Sequence, residues 1–215
     1  MSGSDEGEDA EGQAERPGPE PDAEQLRERM APELPVAMLA HIDRVVTIAR
    51  ELAELHGLPI ARVALAAQEH DLVRAVEPAD LLRCAEERGM PILPIERERP
   101  VLLHGPLGAQ GLAERFDVAD REVLAAIHWH TTGHPRYPRW AWAMFVADKV
   151  EPEKARAWPA LDGVAAIARR PQPAALRDAA AAYLRLSLQR QSERGERPHP
   201  LAEETLAQLE GGASV

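Results

Sequence analysis

The stretch PIARVALAAQEHDLVRA, residues 59–75, decides how this chain folds. Alanine, leucine, glutamine and glutamate are good helix formers, and Pro59 suits a first helical turn, where its missing N–H costs nothing. Val63, Ala66, Ala67 and His70 recur at helical spacing and share one face. The pattern predicts a helix from Pro59 through about Ala75, with His70 and Asp71 near its end. An imidazole and a carboxylate from one helical turn offer two metal-ligand atoms.

Outward from this segment the punctuation continues to mark helices. Pro35 opens one that runs to Leu55 or His56, with Gly57 in the position that ends helices in a left-handed conformation. Met38, Ile42, Val45, Ala49 and Leu52 form its apolar stripe, and His41, Val45, Ile48 and Leu52 lie on the adjoining part of that face, so His41 should look inward. Pro78 to Arg88 forms a third helix closed by Gly89, and the prolines between Met90 and Pro100 mark a loop. Further helices are expected near 103–116, 120–130, 138–150, 160–169, 173–194 and 201–210. In the 138–150 segment Ala141, Met144, Phe145 and Asp148 follow one stripe, and a carboxylate at its end is costly to bury unless something positive receives it. With no strand pattern or internal repeat, the architecture is all-α, a bundle of about eight to ten helices.

Composition agrees with this. Hydrophobic residues make up 45% of the 215 positions but aromatics only 4%, which favours packed helices over sheets. Of the net charge of −11, residues 1–22 carry −7 and contain no apolar side chain of useful size beyond Met1, so a disordered acidic tail is expected there. The remainder is only mildly acidic, which argues against a nucleic acid polymer as partner while leaving room for a small anion held by local bases. Cys84 stands alone, so no internal disulfide or thiolate metal cage forms. No run approaches the roughly 18 apolar residues of a membrane span, and the N-terminus resembles no signal peptide, so a cytoplasmic location is expected.

His41, His70, Asp71 and Asp148 together read as one mixed nitrogen and oxygen site, although any one of them alone is more simply a hydrogen-bonded core histidine or a capping aspartate. Such a donor set suits iron, manganese or zinc better than calcium, which prefers oxygen alone. Two other segments stand out. Leu103-His104-Gly105-Pro106 starts a helix, where free N–H groups favour an anion. Its glycines, Gly105, Gly108 and Gly111, follow no strand and suit close helix packing rather than a dinucleotide fingerprint. His128-Trp129-His130-Thr131-Thr132-Gly133-His134 ends a helix. There His130 and the hydroxyls are placed to contact phosphate oxygens, or His130 to hold a second metal, or the residues simply cap the helix.

In order and flanking residues the chain resembles the HD-domain hydrolases. More closely, it looks like the YqeK family of symmetric dinucleoside tetraphosphate hydrolases. The matching segments are His70-Asp71-Leu72-Val73-Arg74, Leu102-Leu103-His104-Gly105-Pro106, Ala126-Ile127-His128-Trp129-His130-Thr131-Thr132-Gly133, Val146-Ala147-Asp148-Lys149-Val150-Glu151-Pro152 and Glu193-Arg194-Gly195-Glu196-Arg197-Pro198-His199-Pro200. The resemblance implies an HD-domain helical bundle, with a metal-dependent phosphohydrolase domain at 23–200 and a C-terminal helix and short tail at 201–215. It implies hydrolysis of diadenosine tetraphosphate to two ADP at a divalent metal, iron first. His41, His70, Asp71 and Asp148 would hold the metal and form the catalytic centre. His104, His130 and Thr131 would contact phosphates, joined in substrate binding by Arg74, Lys154, Arg194 and Gly195. Trp129 and Trp140 are candidates to stack on adenine, though packing is the commoner use of tryptophan. Arg74 stands where the family usually has lysine, Lys154 where arginine is usual, and Gln68-Glu69 where apolar residues are typical. A homodimer is compatible with this reading, as are two alternatives: an HD-type phosphohydrolase acting on another nucleotide, and a nucleotide-binding sensor with weakened turnover.

Overall fold

The structure, a computed structural model, describes residues 21–211, and every regular element among them is helical. Twelve α-helices follow in order: α1 (Ala23–Met30), α2 (Val36–Leu55), α3 (Ile60–Glu69), α4 (Pro78–Glu87), α5 (Pro94–Glu98), α6 (His104–Arg115), α7 (Arg121–His128), α8 (Arg139–Lys149), α9 (Pro152–Ala157), α10 (Leu161–Ala168), α11 (Ala175–Glu193) and α12 (Pro200–Gly211). The all-α reading is right, and the count exceeds the expected eight to ten by the inclusion of α1 and of two helices, α5 and α9, with too few residues to show a period. Of these, α5 lies in the proline-rich segment expected to be a loop. There Pro94 occupies the first turn and Glu96 reaches back to accept from the Leu93 N–H at 2.7 Å. The third is α9, begun by Pro152 and capped by the Glu151 carboxylate.

The organising element is α8. Every residue from Trp140 to Lys149 is buried, so the helix is covered on all faces rather than along the single stripe the sequence suggested. It packs against α2, α3, α10 and α11, with Ala141, Ala143 and Ala147 fully enclosed between the larger Trp142, Met144 and Phe145. Burying each of those three large side chains is worth roughly 1.5–3 kcal/mol, and a helix so enclosed fixes its neighbours. Helices α6 and α7 form a second pair, and a smaller cluster of Leu81, Ala85, Leu103 and Leu107 joins α4 to α6.

Helix α3 ends at Glu69, six residues before the expected end at Ala75. The cause is His70, whose Nδ1 lies 2.7 Å from the Ala67 carbonyl oxygen, the group that would otherwise accept the next helical N–H. The chain then turns through 70–75 with His70 and Asp71 buried. At the other end of the chain, Asp22 caps α1, its carboxylate accepting from the N–H groups of Glu24 and Gln25 at 2.9 Å each, while Gln25 returns to the Asp22 N–H. Asp22 therefore belongs to the helical body, and residues 1–20 of the expected tail lie outside the described residues.

The Gly-rich start of α6 has one position that demands glycine. A Cβ at Gly105 would stand 2.6 Å from the His128 carbonyl oxygen and 3.3 Å from His130 Nδ1, so α6 and α7 touch backbone to backbone there. At Gly108 and Gly111 the nearest contacts would be an ordinary 3.9 Å and 3.5 Å, and no such need exists.

Replacing Gly105 by alanine should cost about 1–3 kcal/mol in urea denaturation, whereas Gly111→Ala should be neutral or mildly stabilising, as alanine is the better helix former. A second measurement concerns the clamp between α1 and α2, where Arg27 donates two hydrogen bonds to Asp43 at 2.6 and 2.7 Å. Those bonds hold the Asp43 carboxyl below its ordinary range. A depressed carboxyl contributes fully above its unfolded pKa of about 4 and loses that contribution as pH falls through the folded value. Asp43→Asn should therefore lower stability by about 0.5 kcal/mol at pH 7, with the gap to the parent closing in acid. A gap that persists undiminished at pH 3 would contradict this.

Candidate metal centre

Three elements bring the sequence-predicted residues to one place: His41 from the second turn of α2, His70 and Asp71 from the turn after α3, and Asp148 from the last turn of α8. His104 at the start of α6 and His130 just after α7 join them. All but His41 are buried, and its side chain is only 12% exposed.

Three of the histidines are held by the same device. His70, His104 and His130 each direct Nδ1 at the backbone carbonyl three residues earlier, that of Ala67, Val101 and Ile127 respectively. A carbonyl oxygen only accepts, so Nδ1 carries the proton and Nε2 presents a lone pair. His41 is oriented differently: its Nδ1 lies 3.7 Å from Glu151, whose other oxygen accepts from Arg44 Nε at 2.7 Å.

The free nitrogens define two groups of donors that share Asp71. In the first, His41 Nε2 and His70 Nε2 each lie 3.4 Å from Asp148 Oδ1, and 3.6 and 3.5 Å from Asp71 Oδ2. Ligands about 2.1 Å from a cation stand about 3.0 Å apart at octahedral angles and about 3.4 Å apart at tetrahedral ones, so this spacing fits one transition-metal ion. Both Nε2 atoms are buried without a hydrogen-bond partner, a costly condition that a metal would relieve. In the second group, His104 Nε2 and His130 Nε2 approach to 2.9 Å and lie 3.1 and 3.4 Å from Asp71 Oδ1. With both Nδ1 protons committed to carbonyls, two lone pairs and a carboxylate oxygen converge without a donor among them. A cation or an added proton is needed to reconcile them. These two donor groups could hold two ions with Asp71 between them.

The electrostatics favour cations throughout. Burial opposes charge on Asp71, but His70, His104 and His130 outweigh it and hold the carboxyl well below the usual carboxylate range. Burial likewise opposes charge on Asp148, and Lys149, Lys154 and His70 overcome it. For His70, burial works against protonation but the attraction of Asp71 and Asp148 prevails and raises its pKa. The negative field that favours a proton on His70 Nε2 also favours a metal there. His130 goes the other way: burial dominates and pulls it down to about 4, so it is a neutral donor at physiological pH.

The remaining expected residues divide. Lys154 reaches the centre, its Nζ donating to Asp148 Oδ1. Thr131 is half-buried in the turn beyond His130, while the neighbouring Thr132 hydroxyl is occupied with the Gly133 carbonyl at 2.9 Å. Arg74 and Arg194 are exposed and make no contact with the cluster; Gly195, at φ +67°, turns the chain after α11. Trp140 is buried with its Nε1 donating to Glu122 at 3.3 Å, so it packs rather than stacks on a ligand. Trp129 is half-buried, tilted against the rings of His128 and His134. Sequence reasoning missed three partners: Glu151 and Arg44, which position His41, and Lys149, whose Nζ donates to Asp148 Oδ2 at 2.5 Å. The Glu151-Pro152 pair was a readable signal, since an acid before a helix-starting proline is a cap. Gln68 lines a depression beside α1 with Arg27 and Asp43, so it does not face the cluster.

Comparison with known proteins places these observations in a family. The family model for the HD domain matches residues 38–183, a span that holds all six clustered side chains. The chain is 31% identical over 128 residues to the symmetrical bis(5'-nucleosyl)-tetraphosphatase of Bacillus subtilis (strain 168), a match covering 60% of this chain and 67% of the relative. A protein of the same name from Staphylococcus aureus (strain NCTC 8325 / PS 47) is 32% identical over 139 residues, covering 63% and 69%. Among solved structures, a protein from Clostridium acetobutylicum described as a predicted HD superfamily hydrolase involved in NAD metabolism superposes with a TM-score of 0.79 at 20% identity, over 88% of this chain and 97% of that one. With the model matched over more than half its length, this chain belongs to the HD domain family.

Proposed function

We propose that the protein is a metal-dependent phosphohydrolase that splits diadenosine tetraphosphate, or a related dinucleoside polyphosphate, symmetrically into two ADP. The observation that carries the reading is the pair of lone-pair clusters sharing Asp71, together with relatives named for this activity. His41, His70, Asp71 and Asp148 would hold one divalent ion, and Asp71, His104 and His130 a second. Iron is the first choice, with manganese or zinc as alternatives, because neutral imidazoles mixed with carboxylates suit all three. Bound there, such ions supply Lewis acidity toward a phosphoryl oxygen and lower the pKa of a water molecule.

The reaction adds water to one of the two central phosphorus atoms and breaks the bridging P–O bond between them, leaving ADP on each side. ADP is a good leaving group, so positioning outweighs general acid catalysis. That agrees with His104 and His130, whose Nδ1 protons are committed to backbone carbonyls. Lys154 has an exposed, flexible stem, and its ammonium can exchange Asp148 for a substrate phosphate. Glu151 and Arg44 keep the His41 ring turned toward the cluster, and carboxylates in that position commonly raise the basicity of a metal-binding imidazole.

Metal analysis of the purified protein should give two ions per chain, about one in His104→Ala, and little in Asp71→Ala, because Asp71 serves both groups. Equal metal content in the parent and Asp71→Ala would remove the proposed centre. The substrate is tested by product analysis with diadenosine tetraphosphate after anaerobic iron loading. Two ADP as sole products is expected; ATP plus AMP would sink the symmetric assignment, and turnover of some other nucleotide alone would shift the substrate class.

A further inference from the structure

Residues 194–199 cross from α11 to α12 as a short strap and take no part in either donor group. Their side chains instead meet the segment 94–103, which comprises α5 and the 3-10 turn Pro100–Leu103. At one end is His199, whose Nδ1 accepts from the Leu201 N–H at 3.1 Å and so caps α12. Nε2 therefore carries the ring proton, and it lies 3.6 Å from Glu96 Oε1. Both side chains are buried. Burial opposes charge on Glu96, but His199 and the Leu93 N–H outweigh it and hold the carboxyl below its ordinary range. Next along the strap, Arg197 pairs with Glu98. Arg99 reaches in the opposite direction, with Nη2 donating to the Arg197 carbonyl at 2.7 Å and Nη1 to Glu196 at 3.5 Å. Among the described residues its side chain makes no other hydrogen bond, and its Nε is enclosed without a partner.

What Arg99 holds in place is the start of the turn that leads to His104. The Arg99 carbonyl accepts from the Leu102 N–H at 3.0 Å. Inside that turn the Val101 carbonyl meets both the backbone N–H and the Nδ1 of His104. Leu103 fixes the inner side of the turn in the small apolar cluster, and the strap fixes the outer side. Exposed ion pairs such as Arg197–Glu98 add little stability, so ties between segments so far apart in sequence count chiefly for position. We propose that Arg99 and His199 are positioning residues for His104. Through the strap they hold the Pro100–Leu103 turn so that the Val101 carbonyl directs His104 Nε2 at Asp71 and His130. Without the strap the ring regains rotamer freedom, and the second donor group loses affinity. For that consequence in metal binding the assignment rests on the proposed two-ion centre, whereas the orientation of the ring does not depend on it.

The test uses the full chain, metal-free and zinc-loaded, with the variants Arg99→Met and His199→Asn. Asparagine still caps α12 but is too short to reach Glu96. The first readout is the Nδ1 proton resonance of His104 in NMR spectra of the metal-free protein, identified by its loss in His104→Ala. It should shift or broaden in both variants while those of His70 and His130 stay in place. The second is zinc affinity. The ion that His104→Ala also removes should bind roughly tenfold less tightly in Arg99→Met, with the other ion unaffected. Arg99→Lys should recover only part of that loss, since it restores a donor without the planar fork. An unmoved His104 resonance in both variants overturns the assignment. So does a parent that holds two ions beside variants that bind both as tightly, or that lose both equally. A parent that takes up a single zinc ion, with the His104 resonance responding as described, counts against the two-ion centre alone.

Discussion

Asp148 carries the constraint on which the arrangement depends. It ends a helix enclosed on every side, and a helix C-terminus already bears partial negative charge, so an ionised carboxylate there is disfavoured twice over. The chain compensates from two directions. Lys149 donates to Oδ2 and Lys154 to Oδ1, and the Nε2 atoms of His41 and His70 face that same Oδ1 at 3.4 Å. The histidine side supplies lone pairs and no committed proton, so it becomes compensating only when something positive stands among the donors. On the proposed reading, metal affinity would follow from how the core is charged as well as from the four residue types.

Precision at such a centre requires rings that do not turn. A histidine on a long exposed stretch would lose rotamer freedom on binding, and that cost would subtract from affinity. Anchoring Nδ1 to a carbonyl three residues back places the ring at a helix end, where a carbonyl without its helical partner is available. His70 and His130 follow their helices and His104 begins one, so helix boundaries and ligand geometry are set by the same hydrogen bonds. His41 sits within α2, where carbonyls are engaged, and a separate element must orient it. Glu151 does so from the cap of α9 while Arg44, one turn along from His41, holds the carboxylate.

Much of this was legible in residue order. The inward face of His41 followed from the stripe of α2, and the grouping of His41, His70, Asp71 and Asp148 from a shared donor chemistry that no one of them signals alone. What the sequence concealed has local causes. The stop at Glu69 depends on a side chain taking a backbone acceptor, which no propensity registers. Helices α5 and α9 hold five and six residues, too few for a period, and only their prolines betray them. His104 reads as an anion contact at a helix start, and His130 as a phosphate contact, a second metal's ligand or a cap, because their helix ends are visible but their convergence on Asp71 is not. Lys149 gives no signal of its own, since a stripe pattern cannot reveal that the opposite face is covered as well.

The close approach at Gly105 links packing to this chemistry. Because α6 and α7 meet backbone to backbone there, the Ile127 and His128 carbonyls sit against α6, and Ile127 is the same carbonyl that anchors His130. His104 lies one residue before Gly105 on the other helix. The separation of the two Nε2 atoms, 2.9 Å, is therefore governed by how near two backbones come, and a single methyl group at 105 would be felt at both. On the opposite flank Asp148 is fixed by the enclosed α8. Asp71 stands between these two parts on the turn after α3, and its two oxygens divide the work, Oδ2 facing His41 and His70 and Oδ1 facing His104 and His130, so a shift of either flank is felt through one carboxylate.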